Sequence, residues 1–194
     1  MHPAPAIPIN IRRAVAADCD AVRALLIETW HDAYDRILGP NEVKIFCDQN
    51  FSAGTLLYYI ENTVTRWFCV AEADGKIIGF LSARISVLGW AGVDMLYVHP
   101  TAQRKGLDSA LLETVPRIFP WARYIALTVL EPNARGVAFY ERHKFHVFGM
   151  TYYAHKADIP ILLMKRKQPE SGDWRTSIAE YLRLNFGRTD RLHP

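Results

Sequence analysis

The sequence predicts an α/β (α+β) fold, a single domain on a mixed central sheet of about six to seven strands flanked by helices. Three observations carry that expectation. Short runs rich in β-branched and aromatic residues alternate with segments whose apolar residues recur at helical spacing. Two strand-to-helix units follow one another directly, at 93–115 and 124–143. At 194 residues and 50% hydrophobic content the chain can close one core of this class, and no stretch is long and apolar enough to span a bilayer.

Taken in order, Ile7–Arg13 reads as a first strand. Asp18 then stands where a side chain would cap a helix whose inward residues are Val22, Leu25, Leu26 and Trp30. A second helical region runs near Asn41–Phe51, and a third over 54–65 places Leu56, Leu57 and Ile60 inward. Strands Trp67–Glu72 and Lys76–Ser86 are joined at Asp74-Gly75, a hairpin signal. The run from Val93 to Val98 is a mostly buried strand ending before Pro100. Alternation puts Asp94, Leu96 and Val98 on one of its faces and Val93, Met95 and Tyr97 on the other. A helix starts near Gly106 with Ala110, Leu111, Leu112 and Val115 in its stripe, and Pro116 marks its kink or end. A strand over 124–130, a break at Pro132-Asn133 and a helix from Ala134 to His143 make the second unit. His146–Tyr153 and Ile159–Lys167 complete the sheet, so the domain spans 1–167 and an extension spans 168–194.

The net charge of +3 resides in residues 165–194, which hold seven Lys or Arg against four Asp or Glu. Within the extension, Trp174–Phe186 carries Ile178, Tyr181, Leu182 and Phe186 at helical spacing, a short amphipathic helix that would dock on the domain or on a second copy. That helix and the late strands give a route to a homodimer. Arg183, Arg188 and Arg191 are scattered and belong to no recognised module, which argues against nucleic acid as a partner. Cys19, Cys47 and Cys69 are odd in number and widely spaced, so buried free thiols are expected rather than disulfides or a metal site. His143 and His146 straddle a helix end without further ligands, which also gives no metal. The first ten residues hold three prolines and no apolar core, unlike a secretory signal, and point to the cytoplasm.

Between the strand ending at Val98 and the helix starting near Gly106 lie Gln103, Arg104 and Lys105. Unpaired N–H groups at a helix start, two cations and a glycine that allows close approach can together hold an anion. The same residues also read as a solvated turn.

Gln103-Arg104-Lys105-Gly106-Leu107-Asp108, followed by a strand, Asn133 and a helix carrying Phe139-Tyr140, resembles the GNAT N-acetyltransferase superfamily, over about residues 9–165. The resemblance implies acetyl-CoA as co-substrate and no metal. It implies that Gln103, Arg104, Lys105, Gly106, Asp108 and Ser109 lie along the pyrophosphate. Main-chain groups of Leu96 and Val98 would meet the pantetheine arm and thioester carbonyl. Asn133 would contact the coenzyme or an ordered water, and Tyr140 would be the general acid. Asp94 is the candidate general base, with Glu131 and His99 as alternatives. Trp30, His31, Tyr34, Asp35, Tyr58 and Tyr59 would flank the acceptor, with Trp30 and Tyr34 taken as substrate-binding. The acceptor would be a small-molecule or peptide amine. Two positions depart from the family pattern: Asp108, where Gly or Ala is usual, and Lys144, where Gly often ends the helix. A catalytically silent acyl-CoA-binding or interaction module is therefore the alternative function, and Asp108 separates the two.

Overall fold

The computed structural model describes residues 9–85, 89–153 and 156–169. In chain order the elements are β1 (Asn10–Arg13), α1 (Cys19–Leu38), α2 (Pro40–Asn50), α3 (Ala53–Glu61), β2 (Arg66–Ala73), β3 (Lys76–Ile85) and β4 (Trp90–Val98). They continue with α4 (Leu107–Leu112), α5 (Val115–Ile118), β5 (Tyr124–Leu130), α6 (Ala134–Arg142), β6 (His146–Tyr153) and β7 (Lys156–Lys167). One seven-stranded sheet has the order β1-β2-β3-β4-β5-β7-β6. It is mixed: β4 pairs parallel with β5 from Trp90↔Tyr124 to Val93↔Leu127, while β1·β2, β5·β7 and β6·β7 are antiparallel. The α/β class and the mixed sheet are those expected. The extension, with the amphipathic helix expected at Trp174–Phe186, lies outside the described residues from position 170 onward.

The chain forms two compact units. The first comprises Met1–Asn62, Trp67–Ser82 and Met95–Glu113. Its core holds Val22, Leu26, Leu56, Leu81 and Leu111 around a stacked Phe68–Phe80 pair with ring centroids 5.5 Å apart. The second comprises Thr63–Arg66, Ala83–Asp94 and Thr114–Pro194. There Phe119, Trp121, Ile125 and Met164 are buried, and the enclosed Gln168 amide donates to the carbonyls of Phe119 (3.2 Å) and Ala122 (2.8 Å), giving those backbone groups a partner.

Several boundaries differ from the local reading. The third helix stops at Glu61, before the β-branched run Thr63-Val64-Thr65, which lose side-chain freedom in a helix. The helix after the glycine loop ends at Leu112, and Pro116 sits in the first turn of α5. A missing N–H costs nothing there, because first-turn donors have no helical partner. Lys144 takes the left-handed conformation itself, with φ +64°, which closes α6 without glycine at some cost in backbone strain.

Asp18 precedes α1, yet its carboxylate does not cap that helix. It accepts from Arg12 Nη1 (2.8 Å) and Nη2 (2.9 Å) and from the Val15 N–H (2.8 Å). The Arg12 hydrogen bonds, opposed by burial, hold the Asp18 carboxyl below the usual carboxylate range. A folded-state value below the unfolded one, about 3.9, means that ionised Asp18 adds stability above that pH, lost as pH falls through the folded value. Asp18→Asn is expected to lower the melting temperature at neutral pH and flatten the acid limb below about pH 4. A variant with the wild-type acid limb would show that other carboxylates set it.

Candidate active site

The exit of β4 and the following loop belong to the first unit. Val98 offers its carbonyl to Gln103 Nε2 at 2.9 Å, which ties the loop back to the strand end. The His99 N–H donates to the Ile78 carbonyl at 2.9 Å, and Lys105 Nζ donates to the Thr101 carbonyl at 3.0 Å. Arg104 and Gly106 both have positive φ, +60° and +82°. The glycine is required by that backbone, and the space where its Cβ would stand is open, with nothing within 4 Å. Helix α4 starts at the next residue, so its first N–H groups follow the two cationic side chains directly. In its first turn the Asp108 carboxylate accepts from the Ser109 N–H at 2.9 Å.

β4 runs uninterrupted from Trp90 to Val98, and burial alternates along it from Ala91 to Leu96. Val93 and Met95 are buried and Leu96 is half-buried, but Val98 is enclosed while Tyr97 remains half-buried. The Tyr97 phenol has a partner that no local pattern signals: Trp30 Nε1 donates to it at 2.8 Å across 67 positions.

Trp30 sits in an aromatic cluster of the same unit. Its ring centroid lies 4.6 Å from Tyr34, 4.4 Å from Phe46 in a stacked pair, and 5.6 Å from Phe51. With 7% of its surface exposed, Trp30 is mainly a packing residue, whereas Tyr34 and Phe46 are half-buried. Beside them His31 Nδ1 meets Asp35 Oδ1 at 2.8 Å. At the β4 exit His99 Nε2 lies 3.1 Å from Glu28 Oε1, while its Nδ1 accepts from the Thr101 N–H at 3.3 Å. Tyr58 and Tyr59 form a tilted pair on α3, with Tyr58 largely exposed.

Asp94, Asn133 and Tyr140 belong to the second unit. Asp94 Oδ1 accepts from Arg84 Nε at 2.8 Å, and Oδ2 accepts from Arg66 Nη1 at 2.5 Å and Arg84 Nε at 3.1 Å. Neither arginine was legible as a site residue, because 28 and 10 positions separate them from Asp94 and only strand pairing aligns them. Asn133 Oδ1 accepts from the Gly136 N–H at 3.0 Å and so caps α6. One face of α6 carries Tyr140, half-buried, with ring centroids 5.1 Å from Phe139 and 5.7 Å from Phe145.

Against known proteins, a family model for an acetyltransferase (GNAT) domain matches residues 65–147. The Mycobacterium tuberculosis protein named "Probable N-acetyltransferase Rv2775" is 27% identical over 152 residues, 74% of this chain and 83% of that protein. Residues 65–147 of this chain are thus similar to a GNAT acetyltransferase domain. A second relative, the peptidyl-lysine N-acetyltransferase YiaC of Escherichia coli, is 31% identical over 78 residues, 40% of this chain and 49% of YiaC. Among solved structures, the PaiA N-acetyltransferase of Thermoplasma acidophilum in complex with coenzyme A superposes with a TM-score of 0.72 at 22% identity, covering 84% of this chain and all of that one. The GNAT match runs from the turn before β2 into β6 and contains Asp94, the β4 exit, the glycine loop, Asn133 and Tyr140; Trp30 and Tyr34 lie outside it.

All three cysteines are buried and free, and burial pushes the Cys47 thiol up to about 11, so it is neutral and unreactive at physiological pH. Among the described residues no cluster of three or more His, Cys, Asp or Glu could hold a metal ion, and no helix is long and apolar enough to cross a membrane.

Proposed function

We propose that this chain transfers the acetyl group of acetyl-CoA to a primary amine by direct attack within a ternary complex. The observation that carries the reading is the loop: a left-handed Gly106 facing open space, preceded by Arg104 and Lys105 and followed at once by the first N–H groups of α4. In this reading Gln103, Arg104, Lys105, Gly106 and Ser109 hold the pyrophosphate. Main-chain groups of Leu96 and Val98 hold the pantetheine arm and polarise the thioester carbonyl, and Asn133 orients the arm or a water. The amine lone pair attacks the carbonyl carbon, so a C–N bond forms and the C–S bond breaks. Asp94, kept in place by Arg66 and Arg84, receives the proton the amine loses; Tyr140 gives its phenolic proton to the departing thiolate. Trp30 and Tyr34 border the acceptor, a small molecule or a peptide. The cytoplasm, where acetyl-CoA is made and used, is the compartment this activity suits.

One observation favours a second reading, a module that binds acyl-CoA without turnover. Asp108 already places a carboxylate on the Ser109 N–H, where a phosphate would lie. Two like charges about 4 Å apart repel by up to roughly 4 kcal/mol at an effective dielectric near 20, and by much less if the carboxylate turns to water.

Calorimetric titration of acetyl-CoA, followed by thiol release with a panel of amines, tests both. The enzyme reading expects saturable binding and release of free coenzyme A with at least one amine. Binding without thiol release across the panel would leave the silent module. Asp108→Ala is expected to tighten acetyl-CoA binding by about tenfold, the equivalent of 1.4 kcal/mol, while lowering fold stability by a few tenths of a kcal/mol through loss of a first-turn carboxylate. Unchanged affinity would mean that Asp108 points away from the bound coenzyme.

A further inference from the structure

Within the second unit, four neighbouring strands in the order β4-β5-β7-β6 each send one side chain to a common place: Trp90, Tyr124, Lys165 and Phe148. Register explains the meeting. Trp90 pairs with Tyr124, and Ala126 with Lys165. Direct cross-strand partners share a face of the sheet, and so do Tyr124 and Ala126, two positions apart on one strand. The pairing of β6 with β7 shifts between Val147 and Gly149, so Phe148 is the additional residue of an irregularity of the kind that re-aims a side chain.

Lys165 Nζ lies over all three rings, 5.3 Å from the Trp90 centroid, 4.9 Å from that of Tyr124 and 4.8 Å from that of Phe148. The rings stand at steep angles, 52° between Trp90 and Tyr124 and 76° between Trp90 and Phe148, so they wall the ammonium from different directions instead of stacking flat. Among the described residues no carboxylate forms an ion pair with Lys165. What holds the charge is therefore the attraction of a cation to ring faces, which acts within about 6 Å of a centroid.

We infer that these three rings form a binding site for a small molecule carrying a quaternary ammonium group, with Lys165 as a tethered occupant that gives way to it. A lysine ammonium is strongly hydrated and carries three N–H donors, none of which a ring face satisfies as well as water does. A quaternary ammonium has no donor to leave unmet and presents an apolar surface to the rings, so the enclosure suits it better than the present occupant. Lys165 can withdraw because its charge sits on a flexible four-carbon stem. Phe148, 43% exposed on the last strand of the sheet, keeps one wall of the site at the solvent. None of the four residues takes part in the proposed acetyl transfer, so binding here does not depend on that activity.

Titration of tetramethylammonium chloride into the full chain, followed by the indole resonance of Trp90 and matched against ammonium chloride at equal ionic strength, is expected to give a saturable shift with the quaternary ion alone. Lys165→Ala should tighten that binding by about tenfold, since the tethered competitor is gone. Phe148→Ala, at an exposed position, should weaken it by about as much in a chain that still folds. No saturable shift in the wild-type chain overturns the inference. So does an equal response to ammonium, and so does an affinity left unchanged by either substitution in a folded chain.

Discussion

Tyr140→Phe is expected to lower turnover by 10²- to 10⁴-fold while leaving acetyl-CoA affinity within about twofold, the range for losing a positioned general acid. The substitution keeps the ring, and with it the contacts to Phe139 at 5.1 Å and Phe145 at 5.7 Å, so α6 should fold as before. What is removed is one proton donor. In the proposed mechanism the thiolate would then depart unprotonated, a penalty that appears in kcat and not in ground-state binding. Steady-state kinetics with calorimetry on the same preparation separates the two. Wild-type turnover in Tyr140→Phe would remove the acid role and reduce Tyr140 to packing. Asp94→Asn makes the companion test: in place of an anion beside Arg66 and Arg84 it leaves a neutral amide, and turnover should again fall without loss of coenzyme binding. If Asp94→Asn retained activity while His99→Asn lost it, the proton acceptor would be His99, which Glu28 holds at 3.1 Å.

Gly79→Val is expected to cost about 1–3 kcal/mol of stability and, with it, much of the coenzyme affinity. Gly79 lies on β3 where a Cβ would stand 3.2 Å from the Tyr97 carbonyl, 3.2 Å from Leu111 Cδ1 and 3.4 Å from Leu107 Cδ2. The carbonyl is main chain and cannot swing aside. The leucines belong to α4, so relief requires that helix to move, and α4 carries Asp108 and Ser109 just beyond the glycine loop. Packed interiors transmit such shifts rather than absorbing them. Gly92→Ala is the control, since its nearest contacts are an ordinary 3.8 Å to Arg84 Cγ and 3.9 Å to the Arg84 carbonyl. Denaturant unfolding should separate the two variants clearly. Equal stability in both would show that α4 accommodates a side chain at position 79, and the loop would then be less tightly coupled to the sheet than the contacts suggest.

Much of the fold could be read directly because it rests on local rules. Strands with β-branched residues, helices with a period near 3.6, the Asp74-Gly75 turn and the glycine before α4 are set by neighbours a few positions apart. The weaker readings fell where two local rules compete. Pro116 can end one helix or start the next, and it starts α5; Thr63–Thr65 follow a helical pattern but have poor helix propensity, and α3 ends before them at Glu61.

By itself, then, the sequence determined the element order, the class of the sheet, and the position of a cationic glycine loop between a strand and a helix. The tertiary structure alone decided who meets whom. Arg66 reaches Asp94 across 28 positions, Trp30 reaches Tyr97 across 67, and Arg12 bonds Glu72 across 60 while turning Asp18 from a helix cap into an ion-pair partner. Such pairs depend on strand register and on where a helix crosses the sheet, and a one-residue slip would send each side chain to the opposite face. No local pattern of residues encodes that register, because it is set by the packing of the core as a whole.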